Sequence, residues 1–198
     1  MDEAGRGPLA GPVVASAVIV RDFSFSCRVD DSKIMTPGER LAAYGQILER
    51  CHVGVGIVGP ENIDRINILQ ATLEAMRHAV LGLSAKPDCV LIDGQEAPKL
   101  PFLQIRVVNG DALSFSIACA SVVAKVVRDS LMDYYDRVYP DYGFSRHKGY
   151  GTVVHLRALK RKGVCGIHRM SFKPIKWATT QNLKLKSQNN SRLGSVLF

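Results

Sequence analysis

Four acidic side chains stand where chemistry could use them. Asp2 and Glu3 are consecutive and lead into Gly5-Arg6-Gly7-Pro8; Asp93 ends one apolar run; Asp111 follows Asn109-Gly110 at the end of another. Strand ends of an open α/β sheet can converge on one rim, where such folds place their sites. Carboxylates crowded there repel one another unless cations sit between them. Oxygen ligands select Mg²⁺ or Mn²⁺ over zinc. Two such ions ~4 Å apart would activate a water and neutralise charge on a transferring phosphoryl group. Read singly, Asp93-Gly94 and Gly110-Asp111 are also common as turn residues or helix caps, and spacing alone does not bring the four acids together.

Competing chemistries are poorly supplied. No Ser/His/Asp nucleophile set stands out. Gly54-Val55-Gly56-Ile57-Val58-Gly59 matches G-x-G-x-x-G, but its glycines lie inside a strand pattern with Pro60 directly after. A dinucleotide fingerprint needs them in the turn that follows the strand. His52, His78 and His155 have no partners at metal-ligand spacing. The five cysteines, Cys27, Cys51, Cys89, Cys119 and Cys165, form no CxxC pair, which fits reduced, buried thiols in a cytoplasmic protein rather than a disulfide framework or zinc site.

The elements that must carry these residues alternate. Val13 to Val20 reads as a β-branched strand. Thr36-Pro37-Gly38-Glu39 is a capping box with proline at the first helical position, predicting a helix over 37–50 with Leu41, Tyr44, Ile47 and Leu48 on its apolar stripe. Cys51 to Val58 reads as a strand. Asn67 can cap a long helix to about Leu83, with Leu69, Leu73, Met76 and Val80 on one face. Short strands follow at 89–92 and 102–108, ending at the two aspartates. Residues 116–138 form a helix with Ile117, Ala120, Val123, Val127, Leu131 and Tyr134 recurring at helical spacing. Thr152 opens a short helix that Gly163 closes. The order predicts an α/β fold with a mixed sheet and a C-terminal helical lobe.

Composition and charge narrow the partners. With 46% hydrophobic and 22% charged residues over 198 positions, wholesale disorder, collagen and coiled coil are excluded. No apolar run reaches the ~18 residues of a membrane span. Lysine and arginine number 26 against 18 acids. Residues 1–145 hold 14 basic and 18 acidic side chains, net −4; residues 146–198 hold 12 basic and no acidic ones, net +12. A basic end beside an acidic body suggests a polyanion-binding surface, and Tyr150, Phe172 and Trp177 within it favour nucleic acid over a membrane.

The motifs also carry a likeness. Residues 2–13, DEAGRGPLAGPV, resemble the opening of type 2 ribonucleases H, the ribonuclease HII family in bacteria. Asp31-Ser32-Lys33, Ile63-Asp64 with Asn67 to Thr72, Leu91 to Gly94, the run Ser116 to Asp129, His147 to Thr152, and His168-Arg169 with Ser171-Phe172 continue it over roughly residues 2–175. The resemblance implies a ribonuclease H-like fold with a mixed five-stranded sheet. It implies a catalytic domain over 1–140, a basic substrate-binding lobe over 141–177 and a flexible tail over 178–198. It implies divalent-metal hydrolysis, by Mg²⁺ or Mn²⁺, of RNA in RNA–DNA hybrids and at single ribonucleotides embedded in duplex DNA. Asp2, Glu3, Asp93 and Asp111 map onto the family's acidic ligands. Gly5, Arg6 and Gly7 would read the 2′-hydroxyl, with Tyr150 against a sugar and Lys148, Arg169 and Lys173 as phosphate contacts. Asp129 would pair locally with Arg128 or Lys125. Ile34-Met35, Asn109 and Met170 depart from the pattern without touching the acids. A silent nucleic-acid-binding module and another nuclease of the same fold are the alternatives; the intact acids and the Gly5-Arg6-Gly7 and Tyr150 motifs argue against them.

Two expectations concern the ends. With only Met1 before Asp2, the first strand would be a stub, leaving neighbouring backbone groups unpaired; either the true start lies upstream or residues 4–12 shift to fill the gap. Ser195 to Phe198 resembles a sliding-clamp-binding peptide at the end of a polar tail. A monomer is expected.

Overall fold

The computed structural model describes residues 1–176; the tail expectations, including Ser195 to Phe198, lie outside them. Five strands and six helices alternate: β1 Asp2–Ala4, β2 Val13–Val20, α1 Pro37–Arg50, β3 Cys51–Val58, α2 Pro60–Leu81, β4 Cys89–Asp93, β5 Leu103–Val107, α3 Gly110–Leu113, α4 Phe115–Val138, α5 Phe144–His147 and α6 Val153–Lys162. The fold is mixed α/β as expected. The strands form two ladders, an antiparallel β1-β2-β3 and a parallel β4-β5.

The two ladders meet at Met1. Its amino group donates to the Leu91 carbonyl at 2.6 Å, and its own carbonyl accepts from the Asp93 N–H at 3.0 Å. That pair of bonds is the parallel pattern, so the strands run β3, β2, β1, β4, β5 across the molecule. The expected single sheet is therefore two ladders joined by one residue. Beyond that seam, Ala17–Val20 of β2 and Cys89–Leu91 of β4 border a cavity of about 620 Å³.

Local sequence explains the elements. Thr36 accepts from the Glu39 N–H while Glu39 reaches back to the Thr36 N–H, completing the capping box of α1. Its stripe differs from expectation: Ala43 and Ile47 are buried, while Leu41 and Leu48 are exposed. The helix turns Ala43 and Ile47, four residues apart, onto a core of Met35, Cys51, Cys119, Val122 and Val123. Helix α2 starts earlier than expected, with Pro60 in its first turn after Gly59. Asn67 sits inside it at φ 68°, ψ 166°, and its side chain accepts from the Gln70 N–H at 3.1 Å. Asn67 thus caps the second half of a kinked pair. Glycines in β3 let α2 lie close: a Cβ on Gly54 or Gly56 would collide with the carbonyl of Ala79 or Ala75. The glycine pattern serves packing, not a dinucleotide.

Helix α4 spans the body and its buried face carries the first surprise. Ile117, Ser121, Ala124, Arg128 and Met132 are buried, whereas Tyr134 is exposed. Met132 joins Leu9, Ala10, Tyr142, Phe144, Leu159, Ile167 and Ile175 in the core that ties the C-terminal segments to the first loop. Met35, a departure from the family motif, belongs to the α1 core. No helix among the described residues is long and apolar enough to cross a membrane. All five cysteines are unpaired.

Candidate active site

The ends of β1, β4 and the turn into α3 bring three of the four acids together. One carboxylate oxygen from each of Asp2, Asp93 and Asp111 lies within 4.8 Å of the others. Asp2 points inward because strand side chains alternate, and it is 4% exposed. Glu3, next along β1, lies beside this trio rather than within it and faces Arg6 at 3.4 Å.

Backbone geometry fixes the two strand-end acids on each other. Asn109 adopts a left-handed conformation, φ 56° and ψ 42°, which short polar side chains tolerate. The turn aims the Gly110 N–H at Asp93 Oδ1, 2.7 Å away. A Cβ on Gly110 would approach Ile117 Cδ1 to 2.6 Å and Asp93 Oδ1 to 3.3 Å, so a larger residue would have to push the Ile117 side chain aside. Asn109, a departure from the family motif, thereby makes the turn that places Asp111.

The site is short of positive charge for the acids it holds. Burial, and then the neighbouring Glu3 carboxylate, push the Asp2 pKa up to about 7. Burial also raises Glu3. The trio has one close cation: Lys33 Nζ donates to Asp111 Oδ2 at 2.8 Å. Burial works against the lysine's charge, but the Asp111 carboxylate outweighs it and holds the pKa above the ordinary value. Ser32, just before it, shares a hydrogen bond of 2.8 Å with Ser121 of α4, and Arg40 donates to the Ser32 carbonyl at 2.8 Å. The Asp31–Lys33 turn is therefore tied to α4 through Ser32 and to the acids through Lys33. Three hard-oxygen ligands that crowd one another, two of them buried and Asp93 partly so, are a donor set suited to a divalent cation. Lys33 covers part of that need.

Beside the acids runs the loop of Gly5, Arg6 and Gly7. Gly5 has φ +96°, and a Cβ there would collide with the Arg128 guanidinium. Arg6 is exposed, and Tyr150 is 46% exposed with its ring 3.6 Å from the position a Cβ on Gly7 would take. Asp2, Glu3, the loop, Ser32, Lys33, Lys125 and Tyr150 line one cleft, and Asp93 lines a second one that shares Glu3 and Arg6 with it.

The expected phosphate contacts divide. Lys173 is exposed. Lys148 is turned inward, donating to the Asp129 carbonyl at 3.3 Å and paired with Asp133. Arg169 is a correction: it is fully buried, and its guanidinium donates to the carbonyls of Gly11, Arg6 and Gly5 at 2.9, 2.9 and 2.6 Å. With three of its five N–H groups bonded to backbone and the side chain closed off from solvent, it is not placed to meet a phosphate, and it acts from behind the loop. Arg128 does likewise, donating to the carbonyls of Pro12 and Ala10. Asp129 pairs with Lys125 at 2.8 Å, the local pairing expected of it.

Three contributors escaped the sequence reading. Ser121 and Arg128 sit seven residues apart on one face of α4, between Ile117 and Met132; polar groups on a buried stripe were the available signal. Asp64 accepts from the N–H groups of Met170 and Ser171 and from the Ser171 hydroxyl, at 2.8, 2.8 and 2.6 Å. Its motif was visible, but its role as an anchor across more than a hundred residues was not.

Solved structures of the same shape set the class. The ribonuclease H2 of Pyrococcus horikoshii superposes with a TM-score of 0.76 at 24% identity, covering 91% of this chain and 95% of that one. The ribonuclease HII of Archaeoglobus fulgidus, solved in complex with PCNA, gives 0.72 at 24% identity, covering 87% and 93%. The fold is ribonuclease H-like. Sequence is more specific: the Ribonuclease HII family matches residues 1–175. The ribonuclease HII of Chlamydia trachomatis serovar A is 52% identical over 89% of this chain and 82% of its own length. The chain belongs to the ribonuclease HII family and is an endoribonuclease.

Proposed function

We propose that this nuclease cleaves the RNA strand of RNA–DNA hybrids and the phosphodiester 5′ of a single ribonucleotide in duplex DNA, leaving 3′-hydroxyl and 5′-phosphate ends. Primer removal and ribonucleotide excision repair are the cellular tasks that such cutting serves. The reading is carried by one observation: a trio of carboxylates whose oxygens lie within 4.8 Å of one another, with its Asp2 lining the cleft that also holds the Gly5–Gly7 loop and Tyr150.

Asp2, Asp93 and Asp111 would hold Mg²⁺ or Mn²⁺, with Glu3 at the margin. The metal supplies a polarised phosphoryl group and a water of lowered pKa. The protein supplies the rest. Arg169 and Arg128 draw the carbonyls of residues 5, 6, 10, 11 and 12 inward. The glycines of the loop permit close approach of backbone to a ribose. A 2′-hydroxyl both donates and accepts, and it alone marks the ribonucleotide. Tyr150 offers a ring face for a sugar beside Gly7. Arg146, Arg157, Lys160, Arg161 and Lys173 are exposed on the basic C-terminal part and suit the flanking phosphates. The clamp-bound state of the Archaeoglobus relative makes a sliding clamp a candidate partner here too. Cytoplasmic action on replicating DNA accords with five unpaired thiols.

The test is a gel assay with Mg²⁺ or Mn²⁺ on a DNA duplex carrying one ribonucleotide. A single cut on its 5′ side is expected; substrate left whole with both metals rejects the reading.

A further inference from the structure

Two consecutive buried residues, His168 and Arg169, reach both walls of the cleft from within. They are 3% and 0% exposed. Their strand is zipped to the first loop: Ala10 bridges His168, the Gly11 N–H donates to the Ile167 carbonyl, and the Arg169 N–H donates to the Leu9 carbonyl. From there Arg169 reaches the loop wall through the carbonyls of Gly5 and Arg6. Its guanidinium lies over the Phe172 ring at 5.1 Å. Burial, and then the nearby Arg128 charge, lower its pKa to about 9.

His168 reaches the other wall. The chain of bonds fixes every tautomer. The Tyr150 carbonyl can only accept, so His155 Nδ1 carries the proton that bridges 2.9 Å to it. His155 Nε2 is then an acceptor, and His168 Nε2 donates to it at 3.0 Å. His168 Nδ1 accepts from the Cys165 N–H at 2.9 Å. Next to this relay, His147 stacks on His155 with centroids 4.5 Å apart and takes the Gly149 N–H at 3.2 Å. Tyr150 therefore hangs from a satisfied, neutral histidine network. Beyond Arg169, the Asp64 carboxylate pins Met170 and Ser171 to α2.

We infer that His168 and Arg169 form one buried brace that sets the gap between the Gly5–Gly7 backbone and the Tyr150 ring, and through that gap the enzyme's discrimination of ribose from deoxyribose. Both are positioning residues; neither touches substrate. The inference rests on the proposed reading of the loop and Tyr150 as the ribose site.

The experiment uses the full chain with Mn²⁺. It measures kcat and KM on a single-ribonucleotide duplex, the inhibition constant of the all-DNA duplex of the same sequence, and Mn²⁺ affinity by calorimetry. Arg169→Lys keeps the charge but cannot span three carbonyls. His155→Phe fills the ring's space and cuts the relay; His155→Asn keeps a donor near the Nδ1 position. Displacement of a positioning group by about 1 Å costs ~100-fold in rate. R169K and H155F are expected to lose about that much kcat and most of the preference for the ribonucleotide duplex. All-DNA inhibition and Mn²⁺ affinity should stay near wild type, and H155N should recover at least ~10-fold of the loss. Retained ribose preference in R169K or H155F overturns the brace, as does a parallel fall in preference, DNA affinity and metal affinity. If R169K does not fold, the H155F and H155N pair decides alone. A wild-type enzyme that binds both duplexes equally rejects the ribose reading itself, which separates the two failures.

Discussion

The acidic rim is mostly buried and the basic brace behind it wholly so, yet they are built in opposite ways. Asp2, Asp93 and Asp111 crowd like charges together, and burial with Glu3 leaves Asp2 resisting ionisation. Arg128, Arg169, His155 and His168 are as deeply buried, but backbone carbonyls and one another take up their donors. An under-compensated cluster is a demand for a ligand from outside; a saturated one is part of the scaffold. Within a single cleft, chemistry is placed where electrostatics are incomplete, and geometry is placed where they are complete.

The comparison breaks most readily at the rim. Asp93→Asn keeps the oxygen that receives the Gly110 N–H but removes a charge proposed to bind the metal. Cleavage should fall by several kcal/mol of transition-state stabilisation, ~10³-fold or more, with duplex binding unchanged. Unaltered turnover in the gel assay would take Asp93 out of the metal set.

The brace is expected to fail with acid. Burial lowers the pKa of His155 and of His168 to about 4, against an ordinary value of 6.5. Between those values the unfolded chain binds the extra protons. The stability the pair contributes is thus whole above about pH 6.5 and drains away as pH falls toward about 4. Urea midpoints across that window should drop less steeply for H155F than for wild type. Equal slopes would show that the histidine relay is not the acid-sensitive element.

The smallest effect concerns Lys33, whose side chain is 71% exposed where it meets Asp111. Solvent screening keeps such a pair under about 1 kcal/mol. Lys33→Gln should therefore tighten Mn²⁺ binding less than ~5-fold by calorimetry, because the metal no longer displaces a resident cation. Weaker binding would instead make Lys33 a helper of the metal site.

The rim was legible because strand ends announce themselves. Apolar runs stop at Asp93 and before Asp111, and the capping box of Thr36 named its helix to the residue. Buried stripes were less legible. Leu41 and Leu48 outrank Ala43 in apolarity, yet packing chose the smaller residue. Arg169 was illegible in the stronger sense. A lone arginine in a basic segment reads as solvated, and nothing local reveals that three carbonyls from the far end of the chain await it. The early start of α2 was readable, since Gly59-Pro60-Glu61 is a start signal, and the stronger cap at Asn67 masked it.

The span of those contacts has a consequence for biogenesis. Arg169 is 158 residues from Gly11 and 164 from Gly5. The Gly5–Gly7 loop leaves the ribosome about 160 residues ahead of its clasp. At roughly 5–20 residues per second, about 8–30 s separate the two. Over that interval the acids' strand can pair with β2 while the loop beside it remains unclasped. Such high contact order places completion of the cleft late in folding, so on the proposed reading a nascent chain would hold its acids together before its sugar-reading loop is set.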